Sequence, residues 1–294
     1  MNPDLPLDQV RTLLAVAEAG TFDAAAEALH VTPSAVSQRV KALEQRTGRV
    51  LLIRTKPVRL TESGQVVVRF GRQLTRMEGD VRAELGMSGA GEAHRVPIAV
   101  NADSLSTWFV PALSRAPREI CFELHRADES ATTALLREGR VMAAVTSTAE
   151  PVQGCAVRRL GSMRYLACAA PSLVERFPDV QRLIAEGPVL YYDDEDRLQD
   201  AFARRVTRGR GAAAMRHRIP SSEGFVAAVV GGLGWGLVPR VQAEPLLADG
   251  SLVEVRPGCS VDVPLHWQQW KLDSPVLAAA ADAVLAAAAD GLDG

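Results

Sequence analysis

The chain has 294 residues, 47% of them hydrophobic and 23% charged, and 33 Lys and Arg against 35 Asp and Glu leave a formal net charge of -2. These proportions suit a globular chain of two or three compact units and exclude a disordered or low-complexity polymer. No uninterrupted apolar run is long enough to cross a membrane, and MNPDLPLDQVRTLL lacks the layout of a secretory leader, so a cytoplasmic protein without a membrane partner is expected. Cys121, Cys155, Cys168 and Cys259 are widely separated and show no metal spacing; they read as small buried residues, with no metal or cofactor expected.

In chain order, Leu7, Val10, Leu13, Leu14 and Ala17 recur at helical spacing, which predicts a helix from Leu7 to Ala19 that stops at Gly20. Thr21 caps a second helix, in which Ala24, Ala25 and Ala28 permit close packing and Leu29 closes the inner face. A turn falls at His30 and Val31. Thr32 then offers another cap, with Pro33 at the first helical position, where a missing N–H costs nothing. Val36, Val40 and Leu43 make one apolar stripe on this third helix, and Ser34, Ser37, Gln38 and Lys41 fall opposite.

That outward face has the chemistry of a DNA reader. Short polar residues near a helix N-terminus let the backbone approach a groove, and Gln38, Arg39 and Lys41 behind them reach base edges or phosphates. From His30 to Arg76 there are ten Lys or Arg against Glu44 and Glu62, a local excess of eight positive charges in a chain that is negative overall. The bland alternative is a structural helix pair with a solvated basic face, which localised charge disfavours.

Thr61 caps a long helix whose Val67, Phe70, Leu74, Met77 and Val81 alternate spacings of three and four. This is a coiled-coil seam of about two heptads, expected to pair with a second copy of the chain. Gly86, Ser88, Gly89, Gly91 and Glu92 follow as a linker.

Beyond it, strands and helices alternate. VPIAV (96–100), ICFEL (120–124) and VMAAV (141–145) are short strands separated by helices at 105–113 and 130–138, the pattern of parallel βαβ units. A second series has YLACAA near Tyr165, PVLYY at Pro188, helices at 198–206 and 223–230, GWGLVP at Gly234, a returning strand PLHWQQW, and a closing helix at 274–289. Two lobes are implied.

Ligands of open α/β sheets sit beyond the C-terminal ends of strands, at helix N-termini. That rule selects Asp103, Ser104 and Trp108 after the first strand, Thr146 and Ser147 after the third, Asp193 after PVLYY, and Ser222 and Glu223 at a later helix start. Helix ends and hydroxyls favour a carboxylate, the acids favour a cation, and an amino acid with a cationic side chain satisfies both. Each also has a plain role: the serines and acids as helix caps, Trp108 as core.

The order Phe22, Ala25-Ala26, Leu29-His30, Ala35-Val36-Ser37, Leu43-Glu44, Leu51-Leu52, Arg54, Leu60-Thr61 resembles the N-terminal domain of LysR-type transcriptional regulators. The resemblance implies a winged helix-turn-helix domain at 1–60 in which Arg54, Lys56 and Arg59 belong to the wing. It implies a dimerisation helix and hinge at 61–92. It also implies an α/β effector domain like periplasmic binding proteins at 93–294, with one lobe at 93–163 and 268–294 and the other at 164–267. RTKPVRLTESGQ, AVNADSLSTWFVPAL, REGRVMAAV, SSEGFV and WQQW are similar to the ArgP/LysG branch. That likeness implies lysine, arginine or histidine as effector, an inverted-repeat DNA site, assembly to dimer or tetramer, RNA polymerase as partner, and an amino-acid exporter gene as target.

A LysR-type regulator answering to another small carboxylate is the alternative. An enzyme is not expected, because no GxSxG, GxxxxGK[ST] or HExxH occurs and the five histidines are dispersed.

Overall fold

The computed structural model describes residues 4–87, 94–127 and 129–294; Ser88, Gly89, Gly91 and Glu92 of the expected linker lie outside them. Helix α1 (Leu7–Ala19) ends where Gly20 turns left-handed at φ 72°. The Thr21 hydroxyl accepts the Ala24 N–H to start α2 (Phe22–Ala28), and the Thr32 hydroxyl accepts the Ala35 N–H to start α3 (Pro33–Thr47). Val10, Leu13, Val16, Ala25, Val36, Val40 and Leu43 are fully buried between the three helices. Burial of the Val and Leu side chains among them stabilises by about 1.5–3 kcal/mol each. The small residues at the crossing are Ala25 and Ala26; Ala24 and Ala28, expected inside, face solvent. Strands β1 (Leu52–Ile53) and β2 (Arg59–Leu60) pair antiparallel as a hairpin. Glu44 turns inward to hold its base, accepting the N–H of Leu51 at 2.8 Å.

The Thr61 hydroxyl accepts the Gly64 N–H at 3.0 Å and caps α4 (Glu62–Glu84). Gly64 is required there, because a Cβ would fall 1.9 Å from the Leu51 carbonyl oxygen. The expected seam needs one correction. Val67 and Val68 are buried in the N-terminal core, and the apolar stripe left exposed is Val66, Phe70, Met77, Val81 and Leu85, with Leu74 half-buried. The first turns of α4 roof the three-helix domain, so position 67 faces inward.

In the first lobe β3 (His94–Val100) runs into a continuous helix made of α5 (Ala102–Ser104), a π-helical stretch (Leu105–Phe109) and α6 (Val110–Leu113). Strand β4 (Ile120–Arg126), helix α7 (Glu129–Arg137) and β5 (Ala143–Thr146) follow, and β3 pairs parallel with both β4 and β5. The long β6 (Cys155–Ala169) leads to the second lobe: α8 (Pro171–Arg176), α9 (Val180–Glu186), β7 (Val189–Tyr191), α10 (Leu198–Val206), β8 (Arg216–Arg218) and α11 (Ser222–Val230). It closes with β9 (Gly236–Pro239), α12 (Arg240–Ala248) and β10 (Val253–Glu254), before β11 (Val261–Trp270) returns and α13 (Pro275–Gly291) packs on the first lobe.

One sheet runs through both lobes in the order β10-β6-β11-β5-β3-β4, with β9 also on β6. His266–Gln269 of β11 pair with β5, whereas Tyr165–Cys168 of β6 pair with β9. The lobes therefore meet along two shared strands, and the register of β6 against β11 shifts between Leu265 and His266. Cys155 and Cys168 are buried, and burial pushes their thiols up to about 11 and about 12. Cys121, expected inside, is exposed. Among the described residues no helix is long and apolar enough to cross a membrane.

Candidate functional site

Burial of Val36, Val40 and Leu43 fixes the rotation of α3 and turns its other side outward. Thr32, Ser34, Gln38 and Lys41 are exposed there, and Ser37 and Arg39 half-exposed. On the hairpin Arg54, Lys56 and Arg59 are exposed, with the Arg54 guanidinium 5.2 Å above the Phe22 ring. The loop is fastened to the α1–α2 corner, since the Val58 N–H donates to the Gly20 carbonyl at 2.8 Å. Among the described residues Lys41, Arg54, Lys56 and Arg59 form no ion pair, which leaves their charge available to a polyanion.

The second site lies between the lobes. From the first, the start of the helix after β3 supplies Asp103 and Ser104; from the second, α11 supplies Ser222 and Glu223. Tyr165 of β6 stands at the junction and its hydroxyl donates to Asp103 Oδ2 at 2.8 Å. Ser222 lies close enough to act on Asp103 and Ser106 close enough to act on Glu223, while the Ser222 hydroxyl itself donates to Gln242 Oε1 at 3.4 Å within the second lobe. Burial pushes the Asp103 carboxyl up, against the hydrogen bonds from Ser222 and Tyr165, and the charge of Glu223 adds to the rise. Burial, with Asp193 and Asp103 nearby, also raises Asp196. Glu223 goes the other way: the hydrogen bond from Ser106, its own backbone N–H, Ser221 and the charge of Arg126 hold it low. Beside Asp103, Ser104 is fully buried and its hydroxyl has no partner.

The structure thus brings Asp103, Ser104, Ser222 and Glu223 together. Three other expected residues make contacts of their own. Trp108 is buried in the core in a T-shaped contact with Phe109, its ring centroid 5.6 Å away, on the side facing Gly291. Asp193 caps a turn, its Oδ1 accepting the N–H of Glu195 at 2.8 Å and of Asp196 at 3.0 Å; Asp196 caps it too, accepting the N–H of Tyr192 at 2.9 Å and of Leu198 at 3.0 Å, and is raised in part by the charge of Asp103. The Thr146 hydroxyl is spent within its own lobe, donating to the Thr148 carbonyl and accepting from Gln268 Nε2. Ser147 stays half-exposed in the loop after β5. Residues that the sequence reading passed over are Tyr165, Ser106, Arg126 and Asp196. Asp196 carried a signal in the acidic run 193–196; the others had none without the fold.

Comparison with known proteins gives a family for each part of the chain. Residues 7–65 match the model of the bacterial regulatory helix-turn-helix protein, lysR family, and residues 89–289 match the LysR substrate binding domain. The lysine export transcriptional regulatory protein LysG of Corynebacterium efficiens is 45% identical over 305 residues, covering 99% of both chains. ArgP of Pseudomonas aeruginosa is 39% identical over 286 residues, covering 95% of both. Among solved structures, ArgP from Mycobacterium tuberculosis aligns with a TM-score of 0.90 at 44% identity, over 97% of this chain and 98% of that one. Full-length LysG from Corynebacterium glutamicum with bound effector Arg aligns at 0.86 and 41% identity over the whole of both chains. A second structure of that LysG aligns at 0.62 and 40% identity over 99% of this chain and 100% of that one. With a basic three-helix head, a two-lobed α/β body and relatives named as regulators throughout, the chain belongs to the LysR family of helix-turn-helix transcriptional regulators and is similar within it to LysG and ArgP.

Proposed function

We propose that the chain is a DNA-binding regulator that senses a basic amino acid, arginine or lysine foremost, and activates a gene for basic amino-acid export. The observation that carries the effector class is the Asp103 carboxyl, bonded by Tyr165 at the junction of the lobes beside the unpaired buried hydroxyl of Ser104; the charge of Glu223 acts on Asp103, and that of Asp103 on Asp196. Asp103 and Asp196 are half-buried and like-charged, with Glu223 exposed at the rim, and a cation beside them relieves the repulsion. The helix starts at Ala102 and Ser222 supply backbone N–H groups for the effector's carboxylate. The Arg effector of the Corynebacterium glutamicum structure and the export role in the name of the Corynebacterium efficiens relative support the same reading.

The chain works as a homodimer or tetramer through the exposed stripe of α4, so that two α3 helices read an inverted repeat, with RNA polymerase as the downstream partner. Domain limits at 1–60, 61–92 and 93–294 follow from this division of labour. Effector binding acts by favouring one lobe arrangement over another. Calorimetry with lysine, arginine, histidine and aspartate tests it: the three bases are expected to bind and aspartate is not. Tighter binding of aspartate overturns the effector class.

A further inference from the structure

The linker helix α4 is fastened to the first lobe of its own chain by arginine side chains. Arg69 donates to the Gln153 carbonyl at 3.2 Å, Arg72 to the Glu138 carbonyl at 2.6 Å, and Arg76 to the Arg95 carbonyl. Their spacing puts all three on one side of the helix. The Glu138 carbonyl lies just beyond the end of α7, where helical carbonyls lack donors and the helix dipole favours a cation. On the lobe side Gly139, at φ 73°, permits the approach: a Cβ there would stand 3.2 Å from the Arg69 Cα and 3.3 Å from the Trp270 ring.

The same helix is tied to the DNA-binding domain. Arg72 reaches Glu18 of α1 at 3.5 Å, and Arg11 of α1 pairs with Glu78. The attachment to the lobe is polar and narrow, and beside it opens an interdomain cleft of about 1230 Å³ lined by Arg72, Arg76, Arg95 and Glu138. Polar contacts of this kind exchange readily with water, as relative domain motion requires. At its other end α7 follows β4, whose last residue, Arg126, is close enough to Glu223 of the second lobe for its charge to help hold that carboxyl low, without an ion pair between them. The two structures of Corynebacterium glutamicum LysG differ in how far they superpose on this chain.

We propose that Arg69, Arg72 and Arg76 form a releasable latch that holds α4 and the DNA-binding domain on the first lobe, and that α7 carries the state of the effector cleft to it. The second half rests on the effector reading above, and the first does not.

Hydrogen–deuterium exchange on the full-length protein tests both. One variant is Arg72→Ala with Arg76→Ala; the other is Gly139→Ala, which inserts a methyl group from the opposite side. In both, amides over 68–80 are expected to exchange about tenfold faster than in the wild type, with α3 and α13 unchanged, which distinguishes unlatching from unfolding. In the wild type, arginine is expected to alter exchange over 68–80. The variants are expected to bind arginine within about twofold of the wild-type affinity, because the sites are well separated, yet to show no such change. Wild-type exchange across α4 in both variants overturns the latch. A persisting arginine response in unlatched protein overturns the α7 route. Should the wild type bind neither arginine nor lysine, the effector reading and the α7 route fall together, while the ligand-free comparison still decides the latch.

Discussion

Asp193 and Asp196 lie three residues apart in one acidic run and do partly different work. Both fold the turn, Asp193 Oδ1 accepting the N–H groups of Glu195 and Asp196 and the Asp196 oxygens accepting those of Tyr192 and Leu198, but Asp196 in addition feels the charge of Asp103. Asp196→Asn is therefore expected to weaken arginine or lysine binding at least about tenfold, the loss of one charge-assisted contact, whereas Asp193→Asn lowers melting temperature more than affinity; calorimetry and thermal unfolding separate the two. Asp103 gives a pH signature. Its folded carboxyl is held up by burial and by Glu223, so the stability it contributes is complete at low pH and is lost as pH rises through its raised range. A bound cation favours the ionised form, so affinity for arginine is expected to rise with pH over the same interval and then level off. A flat profile across mildly acidic pH would contradict it. On the DNA side, Gln38→Ala is expected to relax base preference, while Arg54→Ala weakens binding to any duplex and lowers the salt slope by about one. Titrations on matched and scrambled duplexes at several salt concentrations distinguish these outcomes.

At the scale of elements, the face of α4 away from the latch presents Val66, Phe70, Met77, Val81 and Leu85 to solvent. Placing Glu at both Phe70 and Met77 is expected to convert a dimer into monomers in sedimentation while leaving the arginine heat of binding in place. The limits of α1 and α3 were legible because their signals are local: Gly20 stops one, and Thr32 with Pro33 starts the other. The inward turn of Val67 was not, because it depends on which domain lies beneath the first turns of α4. Nor was the full length of β6. Gly161 and Ser162 interrupt its pattern, and partners far along the chain, β11 and the backbone of Asp293, carry the strand past them. Among site residues, Asp103, Ser104, Ser222 and Glu223 could be found because each stands where a strand or loop gives way to a helix. Tyr165, in mid-strand, and Arg126, at a strand's last position, could not, since nothing nearby in sequence marks the residue opposite.

For the molecule as a whole, the lobes are joined by β6 and β11, and both strands belong to one sheet that spans them. The second lobe is thus a long excursion from the first, begun on one shared strand and ended on the other. The only sheet the second lobe has to itself among the described residues is the two-stranded pair β7–β8. Heating is therefore expected to melt the effector-sensing body in a single calorimetric step, with the three-helix head melting separately or alongside it. Any swing between the lobes has to be taken up by flexing a pair of neighbouring ribbons, which keeps its amplitude small and leaves the task of enlarging it to whatever is mounted outside.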